Sequence, residues 1–140
     1  MNRPEERIES VKAGLLGAIA FTVALSVLGS LKGIIGQFPS LSTSMVLYGG
    51  IEAAIALSIG FLFGVTYRYI IRADQNSHLR EGAVFAFALV RTGTFIEQQA
   101  RDTLNFLPWV IFGLESLFCF FLARLALDIA IKQQWVKPLQ

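Results

Sequence analysis

The chain has 140 residues, of which 54% are hydrophobic and only 16% charged, whereas soluble globular domains carry about 25% charged residues. A mean hydropathy of +0.59 excludes an ordinary soluble domain, and it excludes disorder, which needs low hydrophobicity and high charge. One cysteine and one histidine exclude an intramolecular disulfide and leave too few soft ligands for a zinc, haem or iron–sulfur site.

In chain order, Pro4 followed by Glu5, Glu6 and Glu9 reads as a helix start, because acids suit the positive end of the helix dipole. A short interfacial helix is expected there. The acids and the lack of a small-x-small cleavage site argue against a secretory signal. About 20 apolar helical residues cross a bilayer core. Residues 13–31 form a first span free of charge between Lys12 and Lys32. Residues 45–67 form a second, containing Glu52 and closed by Arg68. Residues 82–99 form a third, interrupted by Arg91 and ending in Glu97. A central arginine costs roughly 2.5–3.5 kcal/mol on the insertion scale, so this segment either spans with help from its neighbours or is re-entrant. Residues 107–127 form the fourth, opening at Pro108 and containing Glu115 and Arg124.

Loop charges favour four spans. Positive residues collect on the cytoplasmic side, and four spans put Arg3, Arg7, Lys12, Arg68, Arg72, Arg80, Lys132 and Lys137 together, against Lys32 and Arg101 on the other side. Both termini then face the cytoplasm-equivalent side. Arg68, Arg72 and Arg80 make the inner-side loop basic. Tyr48 and Trp109 fall at the outer interface, and Tyr67, Tyr69 and Trp135 at the inner one, as aromatic anchors do. The expected fold is therefore an all-α, polytopic transmembrane four-helix bundle with short loops, a single membrane domain over residues 1–140.

Membrane helices associate through small residues that let backbones approach. The first span offers Gly14, Ala18, Thr22 and Ser26 at four-residue spacing, and the second offers Gly49, Ala53, Ala56, Gly60 and Gly64. These two stripes are expected to pack as a hairpin or, alternatively, to dock a partner helix. Ionisable residues inside a membrane are rare and face the bundle interior or a wet cavity. Glu52 and Glu115 lie roughly 5–6 Å to the outer side of their span centres, at 1.5 Å per residue, and Arg91 lies near the middle of its own. An ion pair of Arg91 with Glu52, Glu115 or both is expected. Three readings of this cluster stay open: a register-fixing ion pair, a docking site for a partner's charge, or a proton or cation site in a transporter.

No HExxH, GxSxG or GxxxxGK[ST] motif is present, so the usual zinc, serine-nucleophile and phosphate-loop signatures are missing. Cys119 sits among Phe118, Phe120 and Phe121, where a thiol is normally inert packing. His78, in a polar stretch, reads as solvated. No enzyme activity, no cofactor and no metal are expected, and no nucleic-acid partner or soluble substrate.

The segment from Gly64 to Arg91, GVTYRYIIRADQNSHLREGAVFAFALVR, resembles a family of small four-span membrane proteins of cyanobacteria and chloroplasts that have no assigned activity. The resemblance rests on an RY-x-x-R dyad (Arg68, Tyr69, Arg72), a short loop with Asp74 and Asn76, and a helix ending Phe87, Leu89, Val90, Arg91. It implies a thylakoid, plasma or plastid membrane and no enzyme chemistry. The expected role is a non-catalytic accessory, assembly or stabilising subunit that touches membrane lipid and other membrane subunits or itself. The alternative is a small oligomeric proton- or cation-coupled transporter or channel using Glu52, Arg91 and Glu115.

Overall fold

The computed structural model describes residues 3–35, 43–71, 77–99 and 106–137. Four α-helices follow one another: α1 (Arg3–Ile35), α2 (Thr43–Ile70), α3 (Ser77–Gln99) and α4 (Leu107–Lys132). At 1.5 Å per residue they are roughly 50, 42, 35 and 39 Å long. Three are long and apolar enough to cross a membrane, over Pro4–Lys32, Gly49–Ile70 and Leu107–Lys132. The fourth, α3, has the length but not the composition, because Arg80, Glu81, Arg91 and Glu97 dilute its apolar residues. Arg72, Asp74, Asn76 and Arg101 lie outside the described residues, as does the side chain of Tyr48.

The expected short N-terminal helix is not a separate element. Helix α1 runs unbroken from Arg3 through the first apolar run. Between Pro4 and Gly14 the sequence holds no residue that breaks a helix, so nothing separates an interfacial turn from the span that follows.

Side chains are sorted by size rather than by polarity. Leu15, Ile19, Val23, Val27 and Leu31 line the outside of α1, and Val110, Ile111, Leu114 and Phe118 the outside of α4. The interior is small or aromatic: Ala13, Ala18, Ala24, Ala56, Ala88, Cys119, Ala123 and Ala130 are buried. Water-soluble monomers rarely expose contiguous apolar patches beyond a few hundred Å², whereas small residues inside and branched apolar residues outside suit a lipid surround. At the centre, one phenylalanine arrives from each helix. Phe120 of α4 stands 4.5 Å from Phe21 of α1, 5.1 Å from Phe63 of α2 and 5.7 Å from Phe87 of α3, between ring centroids.

Helix α1 packs chiefly on α2 and then α4, α3 packs on α4, and α2 touches α3 and α4 least. The α1–α2 seam is backbone against backbone. A Cβ on Gly17 would stand 2.5 Å from the Gly60 carbonyl oxygen, one on Gly60 would stand 2.8 Å from Ala18 Cα, and one on Gly64 would collide with the Ala13 carbonyl.

The chain's two described ends meet at one end of the bundle, here the terminal end. Beyond α4 the backbone amides of Gln134 and Trp135 return to the carbonyls of Ile131 and Ala130, at 3.1 and 2.9 Å. This is a Schellman-type stop. It requires a left-handed residue, and Gln134 supplies it at φ 57°. A side chain in that region is strained, and glycine removes the strain at some entropic cost in the unfolded chain. Gln134→Gly is expected to stabilise the protein by roughly 0.5–1 kcal/mol, read as a higher unfolding midpoint in detergent.

Candidate functional site

Three groups of polar side chains stand out inside an otherwise apolar bundle. The first is in the distal half, away from the chain ends. Glu52, Arg91 and Glu115 each lie about 12–14 Å from the distal end of their helices at 1.5 Å per residue. The expected ion pair does not form. None of the ion pairs among the described residues includes Arg91 or Glu52. Glu115 pairs instead with Lys32, whose side chain reaches it from the distal end of α1. The Arg91 guanidinium lies 4.9 Å from the Phe112 ring centroid and 5.3 Å from that of Phe21, with Ser116 Oγ at 3.5 Å. Ring faces attract a cation, so two phenylalanines take the place of the carboxylate. The reason is angular. Ser116 is one residue past Glu115, which turns it about 100° around α4. The residue facing Arg91 is the serine.

Glu52 is exposed, and so are Gly49, Gly50, Ile51, Ala53, Ala54 and Ile55 around it. The distal half of α2 therefore carries a carboxylate and four small residues on a surface that no other described element covers.

The second group closes the terminal end. Arg68 is 1% exposed. Its Nε donates to the Lys137 carbonyl at 2.9 Å, and one terminal nitrogen donates to the Glu6 carbonyl at 3.1 Å and to Ser10 Oγ. Glu9 accepts from the Lys137 amide at 3.0 Å and from Lys12 Nζ at 2.8 Å. The second terminal nitrogen of Arg68 is buried without a hydrogen-bond partner. One arginine on α2 thus holds α1 and the segment after α4 together. This corrects the reading of Arg68 as a residue of the basic inner-side loop. It sits in the last turn of α2, and helix α1 and the returning tail cover it.

The third group lies beside it. Tyr67 OH donates to Asp128 at 2.8 Å. Arg80 and Arg124 approach the same carboxylate at 3.8 and 3.7 Å. Tyr67 is fully buried, so it is not an interfacial anchor, whereas Tyr69 and Trp135 are exposed. Arg80 stands in the first turn of α3 with its charge committed to α4 rather than in a free loop.

The small-residue stripes are partly realised. Gly14, Ala18, Ala56, Gly60 and Gly64 are buried, but Ser26, Gly49 and Ala53 are exposed and Thr22 is half-buried. A strict four-residue row advances 400° per step, so it drifts about 40° around the helix each time and leaves the seam after two steps. Ser26 satisfies its hydroxyl by donating to the Thr22 carbonyl at 2.8 Å and needs no neighbour. Gly17, absent from the expected stripe, is central to the seam. The signal for it was the placing of Gly17 and Ala18 three and four residues after Gly14. The contacts of Lys32 with Glu115, of Ser116 with Arg91 and of Tyr67 with Asp128 were also missed. The place of Asp128 four residues after Arg124 is legible in the sequence, but its contacts with Tyr67 and Arg80 are not.

No group of three or more potential metal ligands occurs among the described residues. No family model, no curated protein and no solved structure matches the chain.

Proposed function

We propose that the chain is a four-span integral membrane protein of a plasma or thylakoid membrane, acting as a non-catalytic accessory, assembly or stabilising subunit through helix–helix contacts. The observation that carries this reading is the uncovered distal half of α2. Glu52 stands there without an ion pair among the described residues, on a surface of Gly49, Gly50, Ala53 and Ala54 that permits close approach. A carboxylate facing hydrocarbon is costly, and a partner helix bearing a basic or hydroxyl group at that depth relieves the cost.

The four-span reading is supported by α3's length and by the shelter that Phe21 and Phe112 give Arg91. Arg68, Arg80 and the last described residues share one end of the bundle, in accord with both termini on the cytoplasm-equivalent side. The thylakoid assignment rests on the resemblance of residues 64–91 alone.

The test is purification from native membranes in mild detergent, then native-gel sizing and mass spectrometry. Stoichiometric recovery with other membrane subunits is the expected result. A homo-oligomer without partners that passes protons or cations in liposomes defeats the accessory reading in favour of the transporter.

A further inference from the structure

A groove of about 460 Å³ runs between α3 and α4. Val84, Phe85, Leu114, Leu117, Phe118 and Phe121 wall it, and Glu81 and Arg124 also line it. Those two charges stand toward the terminal end: Glu81 is about 6 Å from the start of α3 and Arg124 about 12 Å from the end of α4, at 1.5 Å per residue. From Arg124 to Leu114 the groove follows α4 for about 15 Å. That is half of a hydrocarbon core about 30 Å thick, the depth of one leaflet.

The two charges have capacity to spare. Arg124 Nε is buried without a hydrogen-bond partner, and its nearest carboxylate, Asp128, stands at 3.7 Å. Asp128 is shared with Arg80 and already accepts from Tyr67. Glu81 accepts one hydrogen bond, from Ser77 Oγ at 3.1 Å, and forms no ion pair among the described residues. The groove is thus an apolar slot one leaflet deep whose polar end carries one cation and one anion.

We infer that this groove holds a zwitterionic glycerophospholipid of the leaflet at the terminal end. An acyl chain lies along Phe85, Leu114 and Phe118, the phosphate meets Arg124, and the headgroup ammonium meets Glu81. An anionic headgroup without an ammonium leaves Glu81 opposed by like charge, and an uncharged glycolipid leaves Arg124 with only the carboxylate of Asp128 that it shares with Arg80. The inference rests on the membrane reading above.

The test uses the full chain in mild detergent. Phosphatidylethanolamine, phosphatidylglycerol and a galactosyl diacylglycerol of the same chain length are added in turn. Thermal unfolding and native mass spectrometry read the binding. Phosphatidylethanolamine is expected to be retained over each of the others by roughly threefold, the factor that one weak charge pair supplies, and to raise the unfolding midpoint most. Arg124→Gln is expected to abolish that advantage. Glu81→Gln, at an exposed position, is expected to bring phosphatidylglycerol up to equal retention with the fold intact. Equal retention of all three lipids by the unaltered chain, or a ranking that Glu81→Gln does not change, overturns the proposal while leaving the membrane reading standing. Release of the chain from native membranes by alkaline carbonate overturns both.

Discussion

Replacing Arg68 with methionine is expected to lower stability by at least about 3 kcal/mol, since hydrogen bonds to charged groups contribute roughly 1.5–3 kcal/mol each and leave buried acceptors behind when removed. The acceptors are the carbonyls of Glu6 and Lys137 and the hydroxyl of Ser10. Glu9 also loses the attraction of Arg68, although Lys12 still pairs with it at 2.8 Å. The segment from Gln133 to Lys137 is expected to detach first. Trypsin then cuts after Lys132 in the variant under conditions where it spares the original chain. Arg68→Lys is expected to lose less but not to restore full stability, because an ammonium cannot reproduce a planar fork aimed at three separate acceptors. Equal protease resistance in the methionine variant would show that the clasp contributes little.

Two glycines of α2 offer the second large effect, as a matched pair. Gly64→Leu puts a side chain into the Ala13 carbonyl and the Gly14 backbone. Overpacking against side chains costs typically 1–3 kcal/mol, and here the obstacle is backbone, so a loss of about 3 kcal/mol is expected. A Cβ on Gly49 meets nothing within 4 Å, and for Gly49→Leu the isolated chain is expected to keep its stability within about 0.5 kcal/mol. If the distal face of α2 docks a partner, however, Gly49→Leu lowers partner recovery from native membranes by roughly tenfold, which corresponds to about 1.4 kcal/mol. Unfolding in mild detergent reads the first effect and co-purification the second. An unaffected partner yield with Gly49→Leu would remove that face from consideration.

The contrast between these two glycines marks how far the sequence could be read. The four long helical segments and the weaker character of α3 follow from apolar run length and charge, which are local. Depth along a helix is local too: Glu52, Arg91 and Glu115 each lie about 12–14 Å from the distal end of their own helices. Azimuth is not local. Whether Arg91 faces Glu115 or Ser116 depends on how α3 is rotated against α4, and a turn of 100° exchanges one for the other. The four-residue stripes fail for the same reason. The true seam follows Gly14, Gly17 and Ala18 against Gly60 and Gly64, and the strict row drifts off it toward Ser26. Reach matters as well. Lys32 was placed as a flanking charge at the interface, but its long side chain extends inward to a carboxylate on another helix. The arginine clasp was the least legible feature, because its acceptors are backbone carbonyls from opposite ends of the chain.

That clasp bears on the order in which the molecule is completed. The Glu9–Lys137 contact joins residues 128 positions apart, and contacts of such separation form late because loop closure must come first. Chain leaves the ribosome from its N-terminal end at about 5–20 residues per second, so the α1–α2 hairpin exists for several seconds before Lys137 is made. During that interval Arg68 has no third acceptor and its guanidinium stays hydrated at the surface. The hairpin then stays adjustable at one end, and the segment around Lys137 locks it. A polypeptide interrupted shortly after α4 would carry all four helices and still leave Arg68 without its Lys137 acceptor.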